Sequence, residues 1–292
     1  MDKIFTKNIE HESAIKHVTG KAIYTDDITE PKNLLHAVIG YSNCSKGIIK
    51  KINYDEVYKS EGVVDIITEK DIEGINDVGP IFKGDKIFTS KGIEYYGQPI
   101  FAVIATSTKL ARKAALNAKI EIKKLKPILT IEEAVKKKSF VLKSKVINRG
   151  KASIAIKNSN HQLRGKLECG GQDHFYLEGQ IALTIPQEDN NFLIYSSTQH
   201  PSETQQIVAK VLKQKFNSIN VKVRRIGGGF GGKETQSFLF AAISSIAAKK
   251  LNKPVKLRID RDDDMIMTGK RHQFEFDYEV GFSNDGKIKG LK

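Results

Sequence analysis

The 292-residue sequence contains no tryptophan and very little cysteine. Its two cysteines, Cys44 and Cys169, stand far apart in the chain. Iron–sulfur and zinc sites need three or four thiolate or imidazole ligands at short spacing, so the sequence excludes both kinds of site. Two isolated thiols also exclude a disulfide scaffold and indicate a reducing compartment.

Long apolar runs are missing as well. No segment approaches the ~20 consecutive apolar residues of a membrane-spanning helix. The opening Met-Asp-Lys-Ile-Phe lacks the apolar stretch of a secretory signal. We therefore expect a cytoplasmic protein that does not bind a membrane.

Acidic residues are outnumbered, since 48 lysines and arginines face 34 aspartates and glutamates and give a net charge of +14. Nucleic-acid binding needs a basic patch or stripe on one face. The lysines are instead spread through almost every segment, and only residues 136–138 form a tight run. We expect a solvated basic surface and no nucleic-acid partner. A cleft for an anionic ligand, or a contact with an acidic subunit, remains open.

Apolar residues make up 39% of the chain, enough for well-filled cores, and the length predicts two domains. The first region runs to about residue 125. Its predicted elements are strands Leu34–Gly40, Val63–Thr68 and Ile100–Ala105, helix Thr108–Ala118 and strand Lys119–Lys123. Residues 126–160 are dense in lysine and weakly periodic apart from a helical piece at 131–135, which indicates a linker.

Residues 161–292 have a clearer pattern. The predicted elements are strands Leu163–Leu167, Ile181–Ile185 and Phe192–Ser196, helix Pro201–Leu212, strand Val221–Ile226, a glycine run, helix Lys233–Leu251, strand Val255–Ile259, an acidic loop Asp260–Asp264 and strand Phe274–Phe282. Several strands alternate, as in a mixed or antiparallel sheet with one exposed face. The sequence therefore predicts helices packed on a mixed or antiparallel sheet, and we expect the last strand to lack its hairpin partner.

The glycine run Gly-Gly-Gly-Phe-Gly-Gly-Lys-Glu, residues 227–234, is the most informative segment. It satisfies the dinucleotide pattern G-x-G-x-x-G and falls one residue short of the phosphate-loop pattern G-x-x-x-x-G-K-[ST]. Glu234 stands where the phosphate loop needs a hydroxyl for Mg²⁺, and its carboxylate would repel phosphates. The flanking strands alternate, whereas the parallel strands of a dinucleotide fold are apolar on both faces. Both nucleotide functions are therefore disfavoured.

A glycine-rich turn without a ligand is the simplest alternative. Five glycines in six positions make it a costly one, because each loses additional conformational entropy on ordering. Glycines also let successive N–H groups converge on an anion beside the positive end of a following helix. The run therefore predicts a loop that wraps an oxyanionic cofactor.

Five further motifs accompany the glycine run in a fixed order. They are Val18-Thr19-Gly20-Lys21-Ala22-Ile23-Tyr24 with Asp26-Asp27-Ile28, Tyr96-Gly97-Gln98-Pro99, Gly171-Gln172-Asp173-His174-Phe175-Tyr176-Leu177-Glu178, Ser197-Thr198-Gln199-His200-Pro201 and Arg261-Asp262-Asp263-Asp264-Met265. Together with the glycine run they resemble the xanthine dehydrogenase and aldehyde oxidase family. The glycine run resembles the loop that passes over the molybdenum centre, and the likeness covers nearly the whole chain.

The resemblance implies that residues 14–125 form a hammerhead-like α+β domain. Residues 161–292 would be the start of a molybdenum-cofactor-binding domain, truncated at its carboxyl end. The implied reaction is hydroxylation of a purine, hypoxanthine or xanthine to urate, with water as the oxygen source. Molybdenum-molybdopterin is expected on this chain, and 2Fe-2S clusters and FAD on a partner subunit that passes electrons to NAD. The remaining carboxyl-terminal part of the molybdenum subunit is a further expected partner.

The resemblance also assigns site residues. Gln199 resembles the glutamine that hydrogen-bonds the apical oxo ligand of molybdenum; the alternative is an amide that caps the next helix. Phe230 and Gly231, preceded by Gly229, resemble the backbone that approaches the metal and its pterin; the alternative for Phe230 is core packing. Glu234 resembles the carboxylate that contacts the purine; the alternative is a charge in the first turn of a helix. Aldehyde oxidases usually lack this acid, so Glu234 favours a purine. No direct protein ligand of the metal is expected.

Other polar residues are weaker candidates. Four aspartates and four nearby cations form one set: Asp260, Asp262, Asp263 and Asp264, with Arg258, Arg261, Lys270 and Arg271. This mixture favours a salt-bridged loop over a cation site. His174, His200 and His272 show no metal-ligand spacing, and Glu178 is expected to be structural.

The sequence departs from the family's pattern at its end. The family's second substrate-binding arginine, its general base and its later pterin-binding segments lie beyond Lys292. General base catalysis is worth ~10²–10⁴-fold, so we expect the isolated chain to be inactive. Two classes stay open: part of an enzyme that hydroxylates purines, aldehydes or other N-heterocycles, or a non-catalytic fragment that binds partner subunits and no metal.

Overall fold

The computed structural model describes residues 11–292, which contain eight α-helices and thirteen β-strands. The helices are α1 (Ala14–Val18), α2 (Asp55–Tyr58), α3 (Thr108–Ala115), α4 (Ile131–Lys136), α5 (Ala152–Lys157), α6 (Pro201–Leu212), α7 (Ser237–Leu251) and α8 (Arg261–Met267). The strands are β1 (Leu35–Tyr41), β2 (Gly47–Asn53), β3 (Val63–Ile67), β4 (Gly92–Ile93), β5 (Pro99–Ala105), β6 (Lys119–Lys124), β7 (His161–Cys169), β8 (Ile181–Pro186), β9 (Phe192–Ser196), β10 (Ile219–Lys222), β11 (Val255–Arg258), β12 (Phe274–Phe282) and β13 (Ile288–Leu291). Within residues 11–292, no helix combines the length and the apolar content that a membrane crossing requires.

A seven-stranded sheet of order β10-β9-β8-β11-β1-β5-β3 organises the larger part of the chain. Near its centre β1 runs parallel to β11, where Leu35 faces Val255, and antiparallel to β5. The described residues up to 125 and residues 175–269 therefore form one compact unit. The sequence placed a domain boundary near residue 125, whereas in the structure strands from both sides of that point hydrogen-bond to each other.

Both faces of this sheet are covered. Helices α6 and α7 pack on one face, and α7 is buried continuously from Ser237 to Ala248. On the other face, α3 and a small sheet of order β4-β2-β6 enclose a second cluster that includes Phe101 and Val103. Strand β5 is buried at all seven positions for this reason, which explains why it is the most apolar strand in the sequence.

The second compact unit comprises residues 126–174 and 270–292. Its sheet has the order β13-β12-β7, and every pairing is antiparallel. The expectation that the last long strand lacks a partner is wrong, because β12 pairs with β7 along its whole length and with β13 on its other side. Helix α5 packs on this sheet so closely that a Cβ at Gly281 would lie 2.7 Å from the Cα of Ile156. The segment expected as a linker therefore contains a helix with a buried face.

The α+β fold class is confirmed, and several individual elements differ from expectation. Strand β2 was missed because a bulge between Ile49 and Lys51 interrupts its alternation. Helix α7 begins at Ser237, not at Lys233, and β10 ends at Lys222. The expected acidic loop is helix α8, whose N-cap Asp260 accepts a hydrogen bond from the Asp263 N–H at 3.2 Å.

Candidate functional site

The glycine loop, residues 227–233, connects β10 to the turn before α7. Its backbone enters the left-handed region at Gly228, Phe230 and Gly231, with φ of 92°, 54° and 90°. Gly229 is required for a different reason, because a Cβ there would lie 2.5 Å from Oε1 of Gln199. The glycines therefore serve both the conformation of the loop and its close approach to Gln199.

Gln199 lies between the end of β9 and the start of α6. Its Oε1 accepts hydrogen bonds from the N–H groups of Gly231 at 3.1 Å and Lys233 at 3.2 Å. Its own N–H donates to the carbonyl of Lys233 at 2.8 Å. Two N–H donors at one amide atom identify it as the oxygen, and Nε2 has no hydrogen-bond partner among the described residues. The side chain thus holds the loop through its oxygen and keeps two N–H donors for another acceptor.

Phe230 is 75% exposed at the outer turn of the loop. Core packing, the alternative for this residue, is therefore wrong. A non-glycine residue at positive φ costs on the order of 1–3 kcal/mol and persists where its surroundings impose it. Residues held in such conformations cluster at active sites and ligand-binding sites.

Glu234 directly follows the loop and is exposed. It lies in the turn before α7, because that helix begins only at Ser237, so a preference for the first helical turn does not explain it. The described part of the chain provides the Glu234 carboxylate with no hydrogen bond and no ion pair. The loop therefore ends in a carboxylate that is available to an external donor.

A buried ion pair that the sequence did not reveal lies beneath the loop. The Lys233 side chain is 0% exposed, and its Nζ contacts Oγ of Ser197 at 2.6 Å and Oε2 of Glu178 at 3.3 Å. The ammonium also lies 4.6 Å from the centre of the Tyr176 ring. Burial lowers the pKa of Lys233, against the opposing attraction of Glu178.

Glu178, which the sequence suggested as structural, contacts both ends of the loop. Its Oε2 accepts hydrogen bonds from the N–H of Gly227 at 2.8 Å and from Oγ of Ser197 at 2.6 Å, in addition to the ion pair with Lys233. The Glu178 N–H donates to the carbonyl of Gly227 at 3.1 Å. A lysine directly after a glycine run was the one available signal, but a sequence does not show burial.

A second set of buried groups holds the middle of the loop. Nε2 of Gln180 donates to the carbonyl of Gly232 and to the hydroxyl of Tyr176, both at 2.9 Å. The Tyr176 hydroxyl donates in turn to Oδ1 of Asp264 at 2.7 Å. Burial and the hydrogen bond to Asp264 raise the pKa of Tyr176, which keeps the phenol neutral.

The acidic segment behaves as a salt-bridged element, with a cation that the sequence analysis did not name. Arg112 of α3 pairs with Asp260 and lies 3.8 Å from Asp263. The hydroxyl of Tyr41 donates to Asp263 at 2.9 Å, and burial raises the pKa of that carboxyl. Arg258, one of the expected partners, pairs instead with Asp26 at 3.1 Å.

No group of three or more histidine, cysteine, aspartate or glutamate residues in the described part of the chain could hold a metal ion. His200 forms a surface pair with Glu203 at 2.9 Å, beside Gln199 in sequence. The loop and Gln199 are therefore the strongest candidate site within residues 11–292.

Comparison with known proteins identifies the domains of the chain and its family. Residues 133–292 match the family model of the molybdopterin cofactor-binding domain, and residues 19–126 match that of the aldehyde oxidase and xanthine dehydrogenase a/b hammerhead domain. Over 98% of its length the chain is 39% identical to a xanthine dehydrogenase of Dictyostelium discoideum. Over 97% it is 41% identical to a xanthine dehydrogenase of Oryza sativa subsp. japonica and 39% identical to aldehyde oxidase 2 of Rattus norvegicus. It spans about 21% of the length of each of these relatives.

Solved structures show the same fold. The aldehyde oxidoreductase of Desulfovibrio desulfuricans superposes with a TM-score of 0.85 at 25% identity, over 96% of this chain and 33% of that one. Quinoline 2-oxidoreductase of Pseudomonas putida superposes with a TM-score of 0.82 at 21% identity, over 97% of this chain and 38% of that one. The chain therefore belongs to the xanthine dehydrogenase and aldehyde oxidase family, and its residues 133–292 to the molybdopterin cofactor-binding domain.

Proposed function

We propose that the glycine loop and Gln199 form part of the binding site for a molybdenum–pterin cofactor in a purine-oxidising molybdenum hydroxylase. The observation that carries this proposal is that the two polar atoms of the Gln199 amide differ in their hydrogen bonding. Its oxygen is occupied by the loop, and its Nε2 has no partner within residues 11–292. Two oriented N–H donors suit an oxo group, which only accepts hydrogen bonds.

The residues present fit such a cofactor. Gly228 and Gly231 adopt positive φ, which glycine does without strain, and the 75% exposed Phe230 ring between them in sequence offers an apolar contact. No protein ligand for the metal is needed, because a pterin cofactor carries its own sulfur donors. When bound, this cofactor supplies the two-electron chemistry of carbon hydroxylation with water as the oxygen source. This chain contributes binding, orientation and hydrogen-bond donors.

Glu234 is our reason for proposing a purine as the substrate. Its carboxylate is exposed, has no partner among the described residues and follows the loop directly. A purine such as xanthine carries N–H groups on its rings, and a carboxylate accepts hydrogen bonds from them. A simple aldehyde offers no such donor. Similarity in sequence does not decide between the two, since the xanthine dehydrogenase of Dictyostelium and the rat aldehyde oxidase 2 are both 39% identical to this chain.

We further propose that the electrons leave through 2Fe-2S clusters and FAD located outside this chain and pass to NAD. The two cysteines cannot hold a cluster, because Cys44 is buried and Cys169 lies in the other compact unit. The chain also spans only about 21% of its relatives. An iron–sulfur and flavin subunit, and the remainder of a molybdenum subunit, are therefore the partners that this function requires.

Molybdenum content tests the cofactor assignment. The protein is purified from its own cells with the chains that accompany it, and molybdenum and pterin are quantified per chain by elemental analysis and fluorescence. We expect near-equimolar molybdenum, a several-fold loss in Gln199→Ala, and no change in Gln187→Ala, an exposed glutamine outside the loop. A wild-type assembly that holds no molybdenum contradicts the proposal.

The substrate assignment is tested by Glu234→Val in the same loaded assembly. Because a polar substrate loses a hydrogen-bonding partner, kcat/KM for xanthine should fall by a factor that corresponds to about 2–4 kcal/mol of transition-state binding free energy. The value of kcat/KM for a small aldehyde should stay unchanged or rise. Gln199→Ala is the comparison, and it should slow both substrates because it contacts the cofactor. Equal losses for xanthine and aldehyde in Glu234→Val would show that Glu234 is structural.

A further inference from the structure

The two ends of the glycine loop meet at one buried carboxylate. Oε2 of Glu178 lies 2.8 Å from the N–H of Gly227, where the loop begins, and 3.3 Å from Nζ of Lys233, where it ends. Ser197, at the end of β9, bridges the same pair with contacts of 2.6 Å to each. Three separate segments of one compact unit are thus tied together beneath the loop.

This tie reaches the outward donors of Gln199 through the backbone of Lys233. The N–H of Lys233 donates to Oε1 of Gln199, and the carbonyl of Lys233 accepts from the N–H of Gln199. A shift of the Lys233 backbone therefore moves the side-chain amide of Gln199, including its Nε2. Thr198 and Ser237 also donate to the Lys233 carbonyl, at 3.3 and 3.1 Å, so this residue is a junction of the site.

A buried ion pair is weak evidence for a stabilising role. The Lys233 side chain is 0% exposed, and burial lowers its pKa in spite of Glu178, so the environment disfavours the ammonium overall. Apolar side chains of similar volume often match or exceed the stability of a buried ion pair. A methionine could fill the space of Lys233, but it could not fix Ser197, Glu178 and the loop in one arrangement.

We propose that Glu178 and Lys233 are positioning residues that fix the path of the glycine loop and thereby aim the Gln199 amide at the cofactor. The aim toward a cofactor rests on the proposed function, whereas the fixing of the loop stands without it. Neither residue needs to touch the cofactor or the substrate. Their contribution is the order of a loop that contains five glycines and would otherwise sample many conformations.

Hydrogen exchange of the full 292-residue chain, measured by mass spectrometry without any cofactor, tests the fixing of the loop. The variants are Lys233→Met, Glu178→Ala and Glu178→Gln. The matched control is Lys250→Met, which removes a lysine paired at 2.8 Å with both Asp65 and Asp71 at the far end of α7. Exchange is compared between peptides covering residues 227–236 and peptides from the centre of α7 and from β8.

We expect exchange in residues 227–236 to rise about tenfold or more in Lys233→Met and Glu178→Ala, with α7 and β8 unchanged. Glu178→Gln should show a smaller rise, because its amide oxygen still accepts from Gly227 and Ser197. The control should leave the loop unchanged. Unaltered loop exchange in both Lys233→Met and Glu178→Ala, or equal acceleration throughout the unit, overturns the proposal. If Lys233→Met does not fold, the comparison of Glu178→Ala with Glu178→Gln decides alone.

Molybdenum content of the same variants, in protein purified with its accompanying chains, separates this inference from the proposed function. A loosened loop with several-fold less molybdenum supports both. If the loop exchanges faster but the molybdenum content is unchanged, Glu178 and Lys233 fix the loop, and the proposal that they orient the Gln199 amide toward the cofactor is overturned. Unaltered loop exchange overturns the positioning role, whatever the molybdenum content.

Discussion

The seven-stranded sheet and the three-stranded sheet β13-β12-β7 differ in how far their strands are buried. Strand β5 of the seven-stranded sheet is buried at all seven positions, whereas β7 of the three-stranded sheet is exposed at eight of nine. Along β7 and β12, the apolar residues Leu163, Leu167, Phe276 and Tyr278 share one face and stay substantially exposed. Alternation of apolar residues therefore identifies a strand, but it does not tell how much of that strand is covered.

This difference in burial determines which unit can hold the glycine loop in a fixed position. Every residue that holds the glycine loop belongs to the unit of the seven-stranded sheet, and Lys233 and Gln180 are fully buried there. Close packing on both faces gives that unit fixed reference points for a loop rich in glycine. Four substitutions test this contrast between the two sheets.

The largest effect is expected for Phe101→Ala in β5. Phe101 is 1% exposed, and its ring meets that of Tyr54 edge-on at 5.0 Å between centroids. Removal of a buried aromatic ring leaves a cavity and should lower the free energy of unfolding by about 3–5 kcal/mol. Urea denaturation followed by circular dichroism measures this value. A loss below ~1 kcal/mol would mean that β5 is not part of a tightly packed core.

Gly229→Ala should have the next largest effect, confined to the glycine loop. The new methyl group would lie 2.5 Å from Oε1 and 2.7 Å from Cδ of Gln199, so the amide must move. We expect a destabilisation of about 1–3 kcal/mol and faster hydrogen exchange at Gly231 and Lys233. Gly170→Ala, in the other unit, is the control because a Cβ there meets nothing within 4 Å. Equal effects of the two substitutions would remove the steric argument.

A pH dependence distinguishes the buried Lys233 from the exposed lysines. Because burial lowers its pKa, the unfolded state binds the proton more tightly than the folded state. Between that lowered pKa and the ordinary value of about 10.4, the unfolded state therefore holds more protons, and stability rises with pH by at most ~1.4 kcal/mol per unit. Denaturation at a series of pH values approaching the ordinary value of about 10.4 should show this rise in the wild-type protein but not in Lys233→Met. Parallel curves for the two proteins would argue against a desolvated ammonium.

The smallest effect is expected for Phe276→Ala in β12. Phe276 lies opposite Leu167 of β7, and their side chains are 46% and 55% exposed. The substitution removes the cross-strand contact with Leu167 and a ring contact with Phe274 at 5.8 Å between centroids, both on an exposed face, so the cost should be about 0.2–1 kcal/mol. The urea experiment used for Phe101→Ala measures it. A loss as large as that of Phe101→Ala would show that the three-stranded sheet is covered in solution.

Local pattern predicted the strands and helices whose burial is regular. Strands β5, β8 and β9 and helix α6 lie where the sequence predicts them, because the strands are short apolar runs and the helix has a regular apolar face. The bulge in strand β2 hides its alternation, and the four aspartates of helix α8 obscure the capping role of Asp260. The juxtaposition of Gln199 with the glycine loop was expected only from the family resemblance. Lys233 could not be recognised at all, since its burial depends on Glu178 and Tyr176 from another segment.

The pairing of β1 with β11 sets a condition on how the chain is made. Leu35 can pair only after Val255 has been synthesised. The pairing of β11 with β8 also forms only after that point. At ~5–20 residues per second, β1 therefore spends about ten seconds or more on the ribosome with one edge unpaired. Contacts so distant in sequence also slow the search for the native sheet. The nascent chain consequently exposes an apolar strand edge during synthesis, and such an edge favours pairing with other chains.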